Sequence, residues 1–369
     1  MVHRRGALLL VAALVAAWPG VRASAQTLSN PDISVIGDMR AVARTDETAA
    51  AAGVRNLVFD LEEIEFNFAG YLNPYMRADV TAALHSAGGE VEVELEEANF
   101  TVLRGLPWTL QFNAGRYLLD FGRINQQHPH QWAWMDTPLM IRTMLGEEGL
   151  RATGGRVTAL VDAGENAITL SASAFMSDAF APHDHDRAAE DEEASPEIMG
   201  SGRVSLFRQF SDTWSGEIGG SYLAGTYDPV EALWVDLAGA DFKLRWRPDS
   251  YRSFVWIVEA MGSEREVASG DSLALAITST QAAGVFSSAQ LQWRKRWDAG
   301  AFLDYSEDAV VEDAATTAAG AFVGFSPAEE TARIALVYRH ETSDLYAHDD
   351  DSLTLQFLWS LGPHKVHTF

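Results

Sequence analysis

Apolar and polar side chains alternate along most of this chain with a period of two. Phe242, Leu244 and Trp246 interleave with Lys243, Arg245 and Arg247, and Ile168, Leu170 and Ala172 with Thr169, Ser171 and Ser173. The same holds for Trp108, Leu110 and Phe112 against Thr109, Gln111 and Asn113, and for Ala289, Leu291 and Trp293 against Gln290, Gln292 and Arg294. Near the end, Leu353, Leu355, Phe357 and Trp359 interleave with Thr354, Gln356 and Ser360. Successive side chains of a strand point to opposite faces, so each segment has one apolar and one polar side. Sixteen such segments are read, beginning near Ile33, Val58, Pro74, Val91, Trp108, Gly149, Ala167, Gly200, Trp214, Leu233, Ser253, Gln281, Asp298, Thr316, Ala332 and Ser352.

The connections sort by parity. Tight links fall at Asn73-Pro74, Arg104–Pro107, Asp162–Asn166, Ser211–Trp214, Pro248–Tyr251, Trp297-Asp298 and Ser326–Glu330. Longer ones alternate with them at Arg44–Asn56, Arg123–Glu148, Asp178–Met199, Glu264–Thr280, Glu307–Thr316 and Glu341–Asp351, with shorter ones in the same slots at Ser86–Glu90 and Thr226–Ala232. Short turns on one side and long loops on the other are the habit of outer-membrane barrels, whereas a β-sandwich has no reason to sort its loops. Trp108, Trp214, Trp246, Tyr251 and Trp297 flank short turns, where a lipid headgroup layer would meet amphipathic rings. The fold expected is therefore all-β: a single antiparallel transmembrane barrel of about 16 strands, with short periplasmic turns and long extracellular loops.

The first residues carry an export signal. Arg4 and Arg5 precede an apolar run from Ala7 to Trp18 that is too short to span a bilayer, and Ala23-Ser24-Ala25 is a small-residue cleavage site. Residues 1–25 are expected to be removed, leaving 26–369 as the barrel. There is no cysteine, which suits an exported fold closed by its own hydrogen-bond ring. With 52 acidic and 27 basic residues the formal charge is −25, which excludes nucleic acid as a partner and favours cations. Mean hydropathy is −0.07 although 47% of residues are hydrophobic, as expected when alternate residues meet lipid and water.

Taken together, the leader, the amphipathic strands, the long third loop and the terminal Phe369 resemble the general and substrate-selective porins of bacterial outer membranes. The stretch Asn30-Pro31-Asp32-Ile33-Ser34-Val35-Ile36-Gly37-Asp38 is part of a narrower likeness. So are Gly115-Arg116-Tyr117, the run from Phe121 to Asn125, His128-Pro129-His130 and Gly146-Glu147-Glu148-Gly149-Leu150. These are similar to a group of porin-like outer-membrane proteins, some labelled with zinc or TonB-dependent uptake. The first strand begins too soon after the cleavage site for a plug domain, so energy-coupled uptake is not expected. The resemblance implies outer-membrane lipid and lipopolysaccharide as surroundings and Phe369 as the signal to the barrel-assembly machinery. It leaves a homotrimer open. It also implies that the third loop folds into the lumen and narrows it.

That loop, Arg123 to Glu148, holds His128, His130, Trp132, Trp134, Asp136, Arg142, Glu147 and Glu148. Its Trp, Met and Leu are costly to leave in water, so it is expected to pack on the wall with its charges at the opening. Arg116 and Arg123 are expected as wall partners, and Lys243, Arg245 and Arg294 as lumen residues on the polar phase of their strands, with Arg203, Glu63 and Glu65 alike. His128 and His130 fit a divalent metal site or simple pairing with loop carboxylates. His183 and His185 lie beside Glu190-Asp191-Glu192-Glu193, a run suited to loose divalent-cation binding or to being a solvated charge cluster. No cofactor beyond such a cation is expected. There is no G-x-S-x-G, H-E-x-x-H or phosphate loop, so no enzyme is expected. The function expected is passive diffusion of small hydrophilic solutes with a lean toward cations. A channel or binder for a divalent metal such as zinc, and a soluble or surface-attached adhesin, are the alternatives.

Overall fold

The computed structural model describes residues 31–45, 57–87, 90–180, 196–269, 276–328, 331–346 and 349–362. The expected leader, His183, His185 and Phe369 lie outside the described residues.

Sixteen strands form one closed antiparallel sheet in which each pairs with its neighbours in sequence. They are β1 (Asp32–Arg44), β2 (Leu57–Asn73), β3 (Met76–Ala87), β4 (Glu90–Val102), β5 (Gln111–Leu118), β6 (Arg151–Ala163), β7 (Asn166–Met176) and β8 (Ile198–Gln209). Then come β9 (Trp214–Asp228), β10 (Leu233–Trp246), β11 (Arg252–Ser269), β12 (Ala276–Trp293), β13 (Trp297–Glu307), β14 (Ala315–Phe325), β15 (Ala332–Ser343) and β16 (Asp350–Leu361). The ring closes where β1 meets β16, from Val35 opposite Leu361 to Arg44 opposite Ser352. Closure leaves no strand edge unpaired, which is what allows a sheet to stand in hydrocarbon.

The alternation decides which residues face out. Val204, Leu206, Ile218, Val285, Leu291, Leu303, Val323, Leu336, Leu355 and Phe357 are all large, apolar and exposed on the outer wall. So much apolar surface on a closed fold requires a lipid surrounding. Trp108, Trp214, Trp293 and Trp297 are exposed at the short-turn end. There Trp214 lies 6.2 Å from Trp246 and Trp297 lies 4.6 Å from Phe325, centroid to centroid. On the opposite phase Asp38, Glu63, Glu65, Asn67, Asp241, Lys243 and Glu259 are buried inside the ring.

Several strand limits differ from the alternation. The β5 ladder starts at Gln111 and not at Trp108, because Pro107 opens a 3-10 turn in which Trp108 and Thr109 take φ of 55° and 57°. The β12 ladder ends at Trp293: Arg294 turns at φ 91° and is exposed in the link to β13, so it does not line the lumen as expected. Arg247, on the same polar phase as Lys243 and Arg245, is likewise exposed, just past the end of β10. The β11–β12 hairpin keeps its register past Glu264 and Thr280 to Ser269 opposite Ala276, so most of that expected loop is strand.

Two bulges shape the lumen wall. Between β1 and β2, Asp38 faces Glu63 while Met39 faces Leu61, leaving Glu62 as the extra residue. Between β3 and β4, Thr81 faces Glu97 while Ala82 faces Leu95, leaving Glu96 extra. An extra residue resets the in–out phase. Each Glu-Glu step thereby turns both of its carboxylates toward the interior: Glu62 reaches the buried Arg40 at 3.3 Å and Glu96 is 1% exposed.

Candidate functional site

The chain leaves β5 at Leu118 and enters β6 at Arg151; the intervening loop crosses the lumen and touches wall on several sides. Its two feet are stapled by Asn125, whose side chain donates to the carbonyls of Leu119 (2.8 Å) and Leu150 (3.2 Å) and accepts from the Leu150 amide (2.7 Å). On the β9–β11 side Gly122 N donates to Ser221 Oγ at 3.0 Å. The amides of Arg123 and Ile124 donate to Glu259 Oε2 at 2.8 and 3.0 Å. Gly122 has φ 62°, and a Cβ there would collide with the Glu259 carboxylate, so glycine is required. Arg123 pairs with Glu217 at 2.6 Å and approaches Asp241 at 3.6 Å, and Asp241 in turn holds Arg203 at 2.5 Å.

The middle of the loop is apolar and forms the only large apolar core among the described residues. Trp132, Trp134, Met135, Met140, Ile141 and Met144 pack with Leu237, Met261, Phe286, Phe302 and Phe322 of the barrel's inner face. Trp134 lies 4.7 Å from Phe286 by ring centroid. A short helix, α1 (Leu139–Met144), begins with the Leu139 amide donating to Asp304 Oδ2 at 2.9 Å. The burial expected for these residues is thus met by the inner wall of β10–β14.

The charged loop residues anchor or line. Asp136 lies 3.5 Å from Arg40 of β1, and Arg142 lies 3.8 Å from Glu341 of β15. Glu148 accepts from Arg151 at 2.7 Å; burial alone would raise its pKa, but the guanidinium beside it holds it below the usual carboxylate value. Glu147 is exposed. Arg116 reaches Glu94 at 3.3 Å. Lys243 and Arg245 lie on the inner phase of β10, as the alternation requires.

His128 and His130 come together on the β2–β4 wall, with rings stacked at 5.7 Å. His128 Nε2 contacts Glu97 at 2.7 Å, and its Nδ1 faces Glu65 at 3.4 Å and Glu96 at 3.5 Å. His130 Nδ1 faces the same Glu65 oxygen at 3.3 Å. Burial alone would strip the proton from His128, but the carboxylates of Glu65, Glu97 and Glu96 outweigh it and raise the pKa to about 9. Arg151 also pairs with Glu96. The carboxylates that meet these imidazoles come from the strands and not from the loop itself.

On the short-turn side of the loop, a polar cavity of about 680 Å³ is lined by Arg77, Asp79, Tyr117, Asp120, Gln126 and Arg156, among others. Arg156 pairs with Asp120 and stands over the Tyr117 ring, 4.7 Å from its centre.

Sequence reading missed Arg40, Glu62, Glu96, Glu97, Arg151, Glu259 and Asp304. The Glu-Glu steps at 62–63 and 96–97 are legible in the sequence, since each breaks the alternation at one point. Nothing local marks Glu259 or Asp304, whose loop partners are more than a hundred residues away.

A closed ring of sixteen antiparallel strands with an apolar exterior, a charged interior and a loop folded inward is the architecture of a transmembrane β-barrel. Solved structures agree on the fold. The anion-selective porin from Comamonas acidovorans superposes with a TM-score of 0.57 at 9% identity, covering 90% of this chain and 100% of that one. OmpF of Salmonella typhi, in complex with daunomycin, gives 0.54 at 11%, covering 90% and 98%. The outer membrane channel DcaP of Acinetobacter baumannii gives 0.52 at 10%, covering 93% and 99%. No family model matches the sequence. Over 99 residues the chain is 36% identical to an uncharacterized protein of Aquifex aeolicus (strain VF5), a match to 27% of this chain that spans 20% of that relative's length.

Proposed function

We propose that this barrel is a passive diffusion channel of the outer membrane for small hydrophilic solutes, and that it favours cations. The observation that carries this reading is the division of solvents: the outer wall is apolar and exposed, while the inner wall is dense in charged and polar side chains, as a water-filled lumen permits. Charge supplies the preference. Glu62, Glu63, Glu65, Glu94, Glu96 and Glu97 gather on the β2–β4 wall, and on the loop Asp136 meets Arg40 and Glu148 meets Arg151 beside them. Lys243, Arg245, Arg203 and Arg123 lie across from them, interleaved with Glu217, Asp241 and Glu259. Selectivity in such pores follows the sign of the lining charge, so one fold serves anion- and cation-preferring members alike. Because the loop reaches wall on several sides, the aperture beside it is narrow and the unit conductance small.

Reversal potential across a salt gradient, with purified protein in planar bilayers, tests the reading. A shift of the sign set by the more permeant cation is expected. A clear preference for anions overturns the charge argument, and an absence of any current overturns the channel.

A further inference from the structure

We propose that the barrel binds a divalent transition-metal ion where the third loop meets β2 and β4, on the imidazole of His128 and the carboxylates of Glu65 and Glu96, with His130 and Glu63 beside it around the same Glu65. The site stands apart from the conduction reading and depends on it in no step.

Spacing is the first argument. Glu65, Glu96 and His128 form one buried triad and Glu63, Glu65 and His130 another, each with its ligand atoms within 4.8 Å of one another, and Glu65 common to both. The contacts His128 Nδ1–Glu65, His128 Nδ1–Glu96 and His130 Nδ1–Glu65 measure 3.4, 3.5 and 3.3 Å. Imidazole–carboxylate hydrogen bonds run about 2.7–3.2 Å, so these three are too long. A tetrahedron with metal–ligand bonds of about 2.0–2.1 Å has edges of about 3.3–3.4 Å, which the two His128 distances match within the triad of His128, Glu65 and Glu96.

Unmet polar atoms are the second. Glu96 Oε2, Glu63 Oε1 and His128 Nδ1 have no hydrogen-bond partner, although their residues are no more than 7% exposed. A buried acceptor left so costs roughly 1–3 kcal/mol, and a carboxylate more, unless something absent from the polypeptide completes it.

Charge and orientation complete the case. The carboxylates of Glu63, Glu65, Glu96 and Glu97 converge here, with Arg151 paired through the other oxygen of Glu96 and the His128 imidazole set between them. Four carboxylates outnumber these partners, and a divalent ion that displaces the imidazole proton adds positive charge where they crowd together. Glu97 occupies the far nitrogen of His128 at 2.7 Å and orients the ring so that Nδ1, once its proton is displaced, faces the metal. A nitrogen–oxygen donor set without thiolate suits zinc and its first-row neighbours; calcium and magnesium prefer oxygen alone. Bound there, the ion would cross-link the loop to the wall.

The test uses full-length, tag-free protein folded in detergent, stripped with a chelator and titrated with zinc by calorimetry. Binding of at least one equivalent is expected, with cobalt giving the visible bands of tetrahedral nitrogen–oxygen coordination. Glu65→Gln should abolish it, and His183→Ala/His185→Ala should leave it intact. If Glu65→Gln does not fold, as judged by heat-modifiable migration on gels, His128→Asn/His130→Asn carries the same expectation. Zinc that binds equally to the Glu65 or His128/His130 variants, or that is lost with His183 and His185, overturns the site. So does no binding at all, and conduction measured on the same preparation then shows whether the channel reading stands without it.

Discussion

Glu259, midway along β11, accepts the backbone amides of both Arg123 and Ile124 through one carboxylate oxygen, at 2.8 and 3.0 Å. This contact docks the first foot of the third loop to the far wall, across more than a hundred residues of sequence. Glu259→Leu would leave both amides buried and unpaired, at roughly 1–3 kcal/mol each. The foot should then detach, with the barrel intact because its ladder is untouched. Single-channel recording should show larger and noisier steps than the parent. Gly122→Ala, which drives a Cβ into the same carboxylate, should do likewise. Unchanged steps in both variants would mean that this foot does not set the aperture.

Charge at the loop's exposed rim should tune selectivity. Asp136 and Glu147 are both solvent-accessible on the loop. Asp136→Lys/Glu147→Lys should move the reversal potential toward anions. The shift should shrink as salt rises, since charges further apart than about 8–10 Å are screened near physiological ionic strength. Arg294→Glu serves as the contrast: that residue lies in a short turn outside the lumen, and its reversal should leave the potential where it was.

The two faces of the wall should differ in their tolerance of charge. Leu336 is exposed on the outer face toward the middle of β15. Leu336→Arg should cost about 2–4 kcal/mol in denaturant titrations of the protein in lipid vesicles. Gln290 of β12 faces inward beside Asp298, 3.1 Å away, and Gln290→Arg should be close to neutral in the same titration. Equal costs at the two positions would contradict hydrocarbon outside and water within.

Tryptophan depth offers an independent check of the same division. In single-tryptophan variants in brominated lipid, Trp297 at the short-turn end should be quenched by bromine placed near the headgroups. Trp256, exposed further along β11, should respond to deeper bromine. Trp134, buried against Phe286 inside the ring, should respond to neither. Quenching of Trp134 to the extent of Trp297 would place the loop outside the barrel.

Much of this architecture follows from the order of residues alone. Period-two alternation fixes which side chains share a face, and it does so locally, so segments such as Ile168–Ser173 or Phe242–Trp246 declare an apolar and a polar side without any partner. The parity of loop lengths then separates the two ends, and the Glu-Glu steps at 62–63 and 96–97 even mark where the phase breaks. The register at which β1 closes on β16, the seating of Trp134 on Phe286, the capture of Arg123 and Ile124 by Glu259, and the meeting of His128 and His130 with Glu63, Glu65 and Glu96 were settled only in three dimensions. Alternation is a property of neighbouring residues, whereas these contacts bring together side chains from distant strands. Which of them touch depends on how the register staggers around the barrel and on how deep the loop falls into it.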